Sequence, residues 1–201
     1  MKNDYNENKI HIRDFLELQN HCINEIKEKS TQINDIVKMI ISVRKNKKTI
    51  FTMGNGGSGS TASHFVSDLQ KTMIVKNENR IKAVSLVDNI PVILAWSNDV
   101  SFNKIFEEQL KNQIEKNDLV IAFSGSGKSK NVLNALKIAK KMGAKCIGFT
   151  GKNGGNFTKI CDITFKIPSN DMLTIESQHI TICHCITSTI RNLGKPMFEY
   201  E

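Results

Sequence analysis

Five short apolar runs, each ended by a turn and followed by a stretch of helical spacing, constrain this chain more than any other feature. They lie at about residues 49–53, 82–87, 119–123, 146–150 and 163–167. Between them the spacing predicts helices at about 60–75, 91–95, 102–113 and 130–142, with a last one at about 173–192. A short apolar run without polar alternation suits a strand covered on both faces, and helical crossovers make such strands parallel. The expected class is therefore α/β, a parallel sheet flanked by helices. Upstream, Phe15, Leu16, Ile23 and Ile26, then Ile33, Ile36, Val37, Ile40 and Ile41, recur at helical spacing, which predicts two helices over about 10–45 with a break near Thr31 and Asn34. A length of 201 residues suits one such domain. Residues 1–46 are expected to form a helical N-terminal arm able to pack against a partner subunit, and residues 47–193 the core and C-terminal helix. The tail from Gly194 is expected to be loosely held.

Two of the turns are rich in glycine and serine. Gly54-Asn55-Gly56-Gly57-Ser58-Gly59-Ser60 leaves the first strand and opens a helix. Backbone N–H groups at a helix N-terminus favour an anion, and glycine lets the backbone approach it. The same letters satisfy the dinucleotide pattern GxGxxG, with Asp88 as the acidic residue after the second strand, but the chain has little room for a separate substrate domain. Ser124-Gly125-Ser126-Gly127-Lys128-Ser129 leaves the third strand. Its hydroxyls and amides suit a terminal phosphate. A nucleotide-binding P-loop would need glycine at position 122, where the chain has Ala122, and a second strand ending in a magnesium-binding aspartate.

His64 and Asp68 stand four apart on the helix after the first turn and share a face. Glu176 and His184 stand eight apart on the last helix, about 80° from each other in projection. Two imidazoles and two carboxylates suit a divalent metal such as zinc; the spacing equally allows ordinary helix residues with local hydrogen bonds. His179 competes with His184 for a role and lies about 140° around that helix.

Composition narrows the classes further. The net charge of +8 comes mostly from lysines spread along the chain with no aromatic interleaving, which argues against nucleic acid as partner. No apolar run is long enough to span a bilayer, and the first residues carry no apolar signal core, so the cytoplasm is the expected place and no membrane partner is expected. Five cysteines without a CxxC pair are expected to be reduced and mostly buried, with Cys183 and Cys185 on different faces of the last helix.

Taken in order over about residues 50–190, the motifs resemble those of the phosphoheptose isomerases, in the sugar isomerase (SIS) family. Gly54-Asn55-Gly56-Gly57-Ser58, His64-Phe65 and Asp68-Leu69 are similar to the family stretch GNGGSAADAQHFAAEL. Ser97-Asn98-Asp99 and Phe149-Thr150-Gly151-Lys152-Asn153-Gly154-Gly155 also match. Ser124 to Ser129 is similar to STSGNS, and His179-Ile180-Thr181-Ile182-Cys183-His184 to HITIGH. The resemblance implies a SIS fold with a five-stranded parallel sheet, and a homotetramer with sites between subunits. It implies isomerisation of sedoheptulose 7-phosphate to D-glycero-D-manno-heptose 7-phosphate, the entry to heptose for lipopolysaccharide or capsule. It further implies Asn55, Gly56, Gly57 and Ser58, with Asn98 and Asp99, as substrate contacts. Ser124, Gly125, Ser126 and Ser129 would hold the phosphate. His64, Asp68, Glu176 and His184 would hold one zinc per site, with His184 moving protons and Asp68 or Glu176 as base. Thr61, Thr72 and Thr174 stand where the family carries charged residues, Asp68 where it has glutamate and Glu176 where it has glutamine. Those departures leave room for a different ketose phosphate, or for a non-catalytic SIS protein that senses a phosphosugar or binds a protein.

Overall fold

A computed structural model describes residues 2–199, with side chains from residue 6 onward. The order of elements is α1 (Lys2–Lys27), α2 (Ser30–Lys45), β1 (Thr49–Met53), α3 (Gly57–Ser67), β2 (Lys82–Ser85), α4 (Ile90–Asp99), α5 (Glu107–Lys111), β3 (Leu119–Phe123), α6 (Lys130–Lys141), β4 (Lys145–Thr150), α7 (Phe157–Ile160), β5 (Ile163–Lys166) and α8 (Met172–Arg191). The five strands are all parallel, in the order β2-β1-β3-β4-β5.

Every residue of β3, the middle strand, is buried, and alternation decides which face each one serves. Leu119, Ile121 and Phe123 enter a core layer with α2, α3 and α8, whereas Val120 and Ala122 enter a second layer with α5 and α6. That period of two separates two hydrophobic layers with the sheet between them. Burying a side chain such as Phe123, fully inaccessible, contributes about 2–3 kcal/mol. The strand order reverses between β1 and β3, so a crevice opens at their carboxyl ends. Both glycine- and serine-rich turns leave the sheet at that crevice.

The local departures from the sequence reading have physical causes. The first break falls at Glu28–Lys29, not near Thr31 and Asn34, because the Lys29 N–H bonds back to the Ile26 carbonyl at 2.9 Å and closes α1 there. Ile33, Ile36, Val37 and Ile40 of α2 belong to the core, so α2 is no part of a free arm; Ile10, Ile12 and Leu16 of α1 stay exposed. Where a single helix over 60–75 was expected, α3 ends at Ser67 and the chain widens into a π turn, Asp68–Thr72, closed by Met73 N–H to Asp68 C=O at 2.8 Å. Instead of one helix at 102–113, a 3₁₀ turn, Phe102–Lys104, precedes the short α5, with the Ser101 hydroxyl accepting the Asn103 N–H. The tail is pinned rather than loose: Lys76 N–H bonds the Lys195 carbonyl, Met197 N–H bonds the Ile74 carbonyl, and Arg191 donates to the Phe198 carbonyl at 2.8 Å. No helix among the described residues is long and apolar enough to cross a membrane.

Candidate active site

The two turns face each other across the crevice and are tied together. The side-chain amides of Asn55 and Asn131 exchange two hydrogen bonds, of 3.0 and 2.8 Å. Asn131 is 2% exposed and lies in the first turn of α6, so it joins the N-terminus of that helix to the turn that opens α3. Sequence reading missed it; its only signal is an amide two residues after the serine loop. Gly56, with φ of +55°, turns the chain sharply into α3.

In the serine loop, the Ser124 and Ser129 hydroxyls lie 3.2 Å apart, and the Ser124 and Ser126 hydroxyls accept the backbone N–H groups of Gly127 and Lys128. Ser124, Gly125, Ser126 and Ser129 line a cavity of about 310 Å³ together with Asn55, Gly56, Gly57, Ser58, Met172 and Glu176. Two helix N-termini, those of α3 and α6, adjoin it, which makes it a place for an anion. Asn55 and Gly56 also line a second cavity, of about 600 Å³, whose wall includes His64. The serine loop and His64 thus line two cavities that adjoin at Asn55 and Gly56 of the first glycine turn.

α8 forms the remaining wall. Asp171 caps it by accepting the Thr174 N–H at 2.8 Å. Met172 and Glu176, four apart and on one face, each lie over a glycine of a turn. A Cβ at Gly125 would strike the Met172 thioether, and one at Gly57 would strike the Glu176 carboxylate. Glu176 is therefore set against the N-terminus of α3.

Two turns further along α8, His184 Nε2 lies 2.9 Å from His64 Nε2. Each of these nitrogens is 3.8 Å from Asp68 Oδ2. Both imidazoles are about half exposed, whereas Asp68 is 9% exposed. The Thr187 hydroxyl sits 3.2 Å from Asp68 Oδ2 and 2.8 Å from the Cys183 carbonyl, which fixes the carboxylate. Thr187, also missed in the sequence, is three residues past His184 and so shares its face. The π turn begins at Asp68 and presents its carboxylate to α8, in keeping with the frequent placing of such turns at sites.

Two imidazole nitrogens this close hold either one shared proton or one cation. A tetrahedral ion with bonds of about 2.0–2.1 Å needs ligand atoms about 3.3 Å apart, and the separations found bracket that value. The donor set, two imidazoles and a carboxylate with an exposed side left open, fits a divalent metal. Glu176, grouped with these three on spacing, is outside the cluster because its carboxylate turns to Gly57.

Other expected residues are placed differently. Asn98 and Asp99 end α4, bond to each other at 2.8 Å, are exposed and line neither cavity. His179 is fully buried against the stacked rings of Phe123 and Phe149, which removes it from competition with His184. The Thr174 hydroxyl accepts a 2.8 Å bond from Gln19 of α1, so Thr174 serves helix packing and not the cleft. The Thr72 carbonyl accepts from Arg191, and the Thr61 hydroxyl bonds the Gly57 carbonyl within α3. Cys183 is buried, its thiol pushed well above the usual range by burial and then by the Asp68 carboxylate; Cys185 is exposed on the other face.

Comparison with known proteins gives the family and the fold. The family model for the SIS domain matches residues 14–151. A phosphoheptose isomerase of Aliarcobacter butzleri is 36% identical over 182 residues, which is 90% of this chain and 95% of that protein. The structure of a phosphoheptose isomerase from Francisella tularensis superposes with a TM-score of 0.84 at 27% identity, covering 90% of this chain and 96% of the other. A second phosphoheptose isomerase structure, from Neisseria gonorrhoeae, gives 0.79 at 24% identity over 90% and 95% of the two chains, and shares the fold.

Proposed function

This chain belongs to the SIS domain family and is a sugar-phosphate isomerase, and we propose that it interconverts sedoheptulose 7-phosphate and D-glycero-D-manno-heptose 7-phosphate. The observation that carries this reading is a phosphate-type loop lining one cavity and a His–His–Asp cluster whose His64 lines the next, the two cavities sharing Asn55 and Gly56.

Moving a proton between C1 and C2 of a sugar needs a base over the carbon, an acid at the oxygen, and stabilisation of the enediolate. Ser124, Ser126 and Ser129 hold the phosphate, with the α6 N-terminus behind them, and so orient the far end of the chain. Asn55, Gly56 and Gly57 form the floor, and Asn55 is held in place by Asn131. Asp68 is buried and engaged by Thr187, which suits it to a cation. Glu176 stands against Gly57 of the glycine turn and outside the His64–Asp68–His184 cluster, which makes it our choice as the base. His184 is half exposed and carries the proton to and from oxygen on Nδ1, since its Nε2 faces His64 and Asp68. His64, Asp68 and His184 would hold the metal, and we take it to be zinc, whose chemistry there would be polarisation of the carbonyl and hydroxyl oxygens.

We further propose a homotetramer with sites between subunits, in which Asn98 and Asp99 reach substrate from surfaces exposed in the single chain. The exposed apolar side chains Ile10, Ile12 and Leu16 of α1, and Ile90 and Leu94 of α4, support association. Work in the cytoplasm, feeding heptose to lipopolysaccharide or capsule, suits the unpaired cysteines of the described residues.

Proton NMR of the purified protein with sedoheptulose 7-phosphate, with and without a chelator, tests the reading. The aldoheptose phosphate is expected to appear and to be lost on chelation. Absence of turnover over a panel of ketose phosphates would overturn it in favour of a phosphosugar sensor.

A further inference from the structure

Another cavity, of about 300 Å³, shares Gly125, Ser126 and Met172 with the serine pocket but does not reach Glu176. Lys128 and Lys152 line it. Neither ammonium has a carboxylate partner among the described residues, and the side-chain amides of Asn153 and Asn170, also on its wall, make no hydrogen bond there. Ser169 is 6% exposed and faces the same space. Its oxygen accepts the Asp171 N–H at 3.0 Å, and its proton has no acceptor among the described residues.

The walls are held firmly. Gly151 N–H bonds the Gly125 carbonyl and Asn156 N–H bonds the Gly127 carbonyl, both at 2.9 Å, while Lys152 N–H bonds the Ser169 carbonyl at 3.0 Å. Gly127 and Gly155, at φ of +62° and +52°, let the two loops cross so closely that a Cβ on either would strike backbone. The loops after β3, β4 and β5 therefore present two cations, two amides and a buried hydroxyl to one space, with no acidic side chain on it. Such a surface recognises a phosphate-class oxyanion, whose several acceptors match several donors.

We propose that this compartment, which adjoins the serine pocket and shares Gly125, Ser126 and Met172 with it, is a second phosphate subsite, which takes inorganic phosphate or the second phosphoryl group of a bisphosphorylated sugar. The word "second" rests on reading the serine loop as the phosphate end of the isomerase site.

Calorimetric titration of the metal-loaded, full-length protein with inorganic phosphate tests it. Two phosphates per chain are expected. Lys152→Gln should weaken one of them about tenfold, on the scale of a lost charge-assisted contact, and leave turnover of a monophosphorylated ketose unchanged. Ser129→Ala should weaken the other and raise KM. One phosphate per chain, or two that Lys152→Gln leaves unmoved, overturns the proposal. The KM of a bisphosphorylated ketose separates the sources. A tenfold rise in Lys152→Gln identifies the second phosphoryl group, and an unchanged KM beside the weakened phosphate site identifies free phosphate. Two phosphates bound by a protein that turns over no sugar phosphate would sink the isomerase reading and leave the subsite standing.

Discussion

His179 offers a quantitative test of how this core is built. Its ring is fully buried against the stacked pair Phe123 and Phe149, and neither ring nitrogen has a hydrogen-bond partner of good geometry. Burial drives its pKa down from 6.5 to about 4, opposed in part by the nearby Thr150 backbone. The unfolded chain takes up a proton near 6.5 while the folded chain resists until about 4, so the unfolded state binds more protons between those values. Stability from this group is present in full above pH 6.5 and is lost as pH falls through the window to 4. At about 1.4 kcal/mol per pH unit the whole loss is about 3 kcal/mol, most of it spent by pH 4.5. His179→Leu, close in volume and apolar, removes the titration. Urea unfolding at fixed protein concentration, run from pH 7.5 to 4.5, should show the wild type losing about 2–3 kcal/mol more than the variant. Exposed histidines titrate alike in both proteins and cancel in the difference. Parallel stability curves for the two proteins would refute the reasoning.

Three further outcomes are expected. His184→Ala should lower kcat about 10²-fold or more and reduce bound metal measured by elemental analysis; full activity with metal retained would remove His184 from the mechanism. Gly57→Ala should push the flexible Glu176 carboxylate off the α3 N-terminus and lower kcat with little change in a thermal melt, whereas unchanged turnover would remove Glu176 at that place from the chemistry. Brief alkylation at pH 8 followed by peptide mass spectrometry should mark Cys185 first. Burial pushes Cys146 up to about 12 and Cys161 and Cys183 well above the usual range, so labelling of any of these before Cys185 would contradict their placement.

Much of the fold was legible because strands declare themselves by local composition. Leu119–Phe123 is apolar at every position, and only a strand covered on both faces uses such a run in a chain of this kind. The π turn at Asp68–Thr72 was not legible, since it depends on Asp68 meeting Thr187 from a helix 119 residues away. The pinned tail was hidden for the same reason: Lys195 and Met197 bond to carbonyl and N–H groups near Val75, and nothing in their own sequence announces it. α2 read as part of an arm because amphipathic spacing shows that a helix has an apolar face, not what that face covers.

For the site, sequence order alone determined the two turns, since a glycine- and serine-rich segment between a strand and a helix has few uses other than binding an anion at a helix N-terminus. It also determined the pairing of His64 with Asp68, because a spacing of four on one helix sets two side chains on one face. Only the tertiary structure decided that His184 completes that pair and that Glu176 faces Gly57 instead. The difference is one of range. Spacing along a helix fixes neighbours on that helix, whereas the choice between two side chains eight residues apart on α8 depends on how α8 lies across α3. That is set by the packing of Ile175, Ile182 and Ile186 against Ala62, Phe65 and Leu69, and no local pattern encodes it.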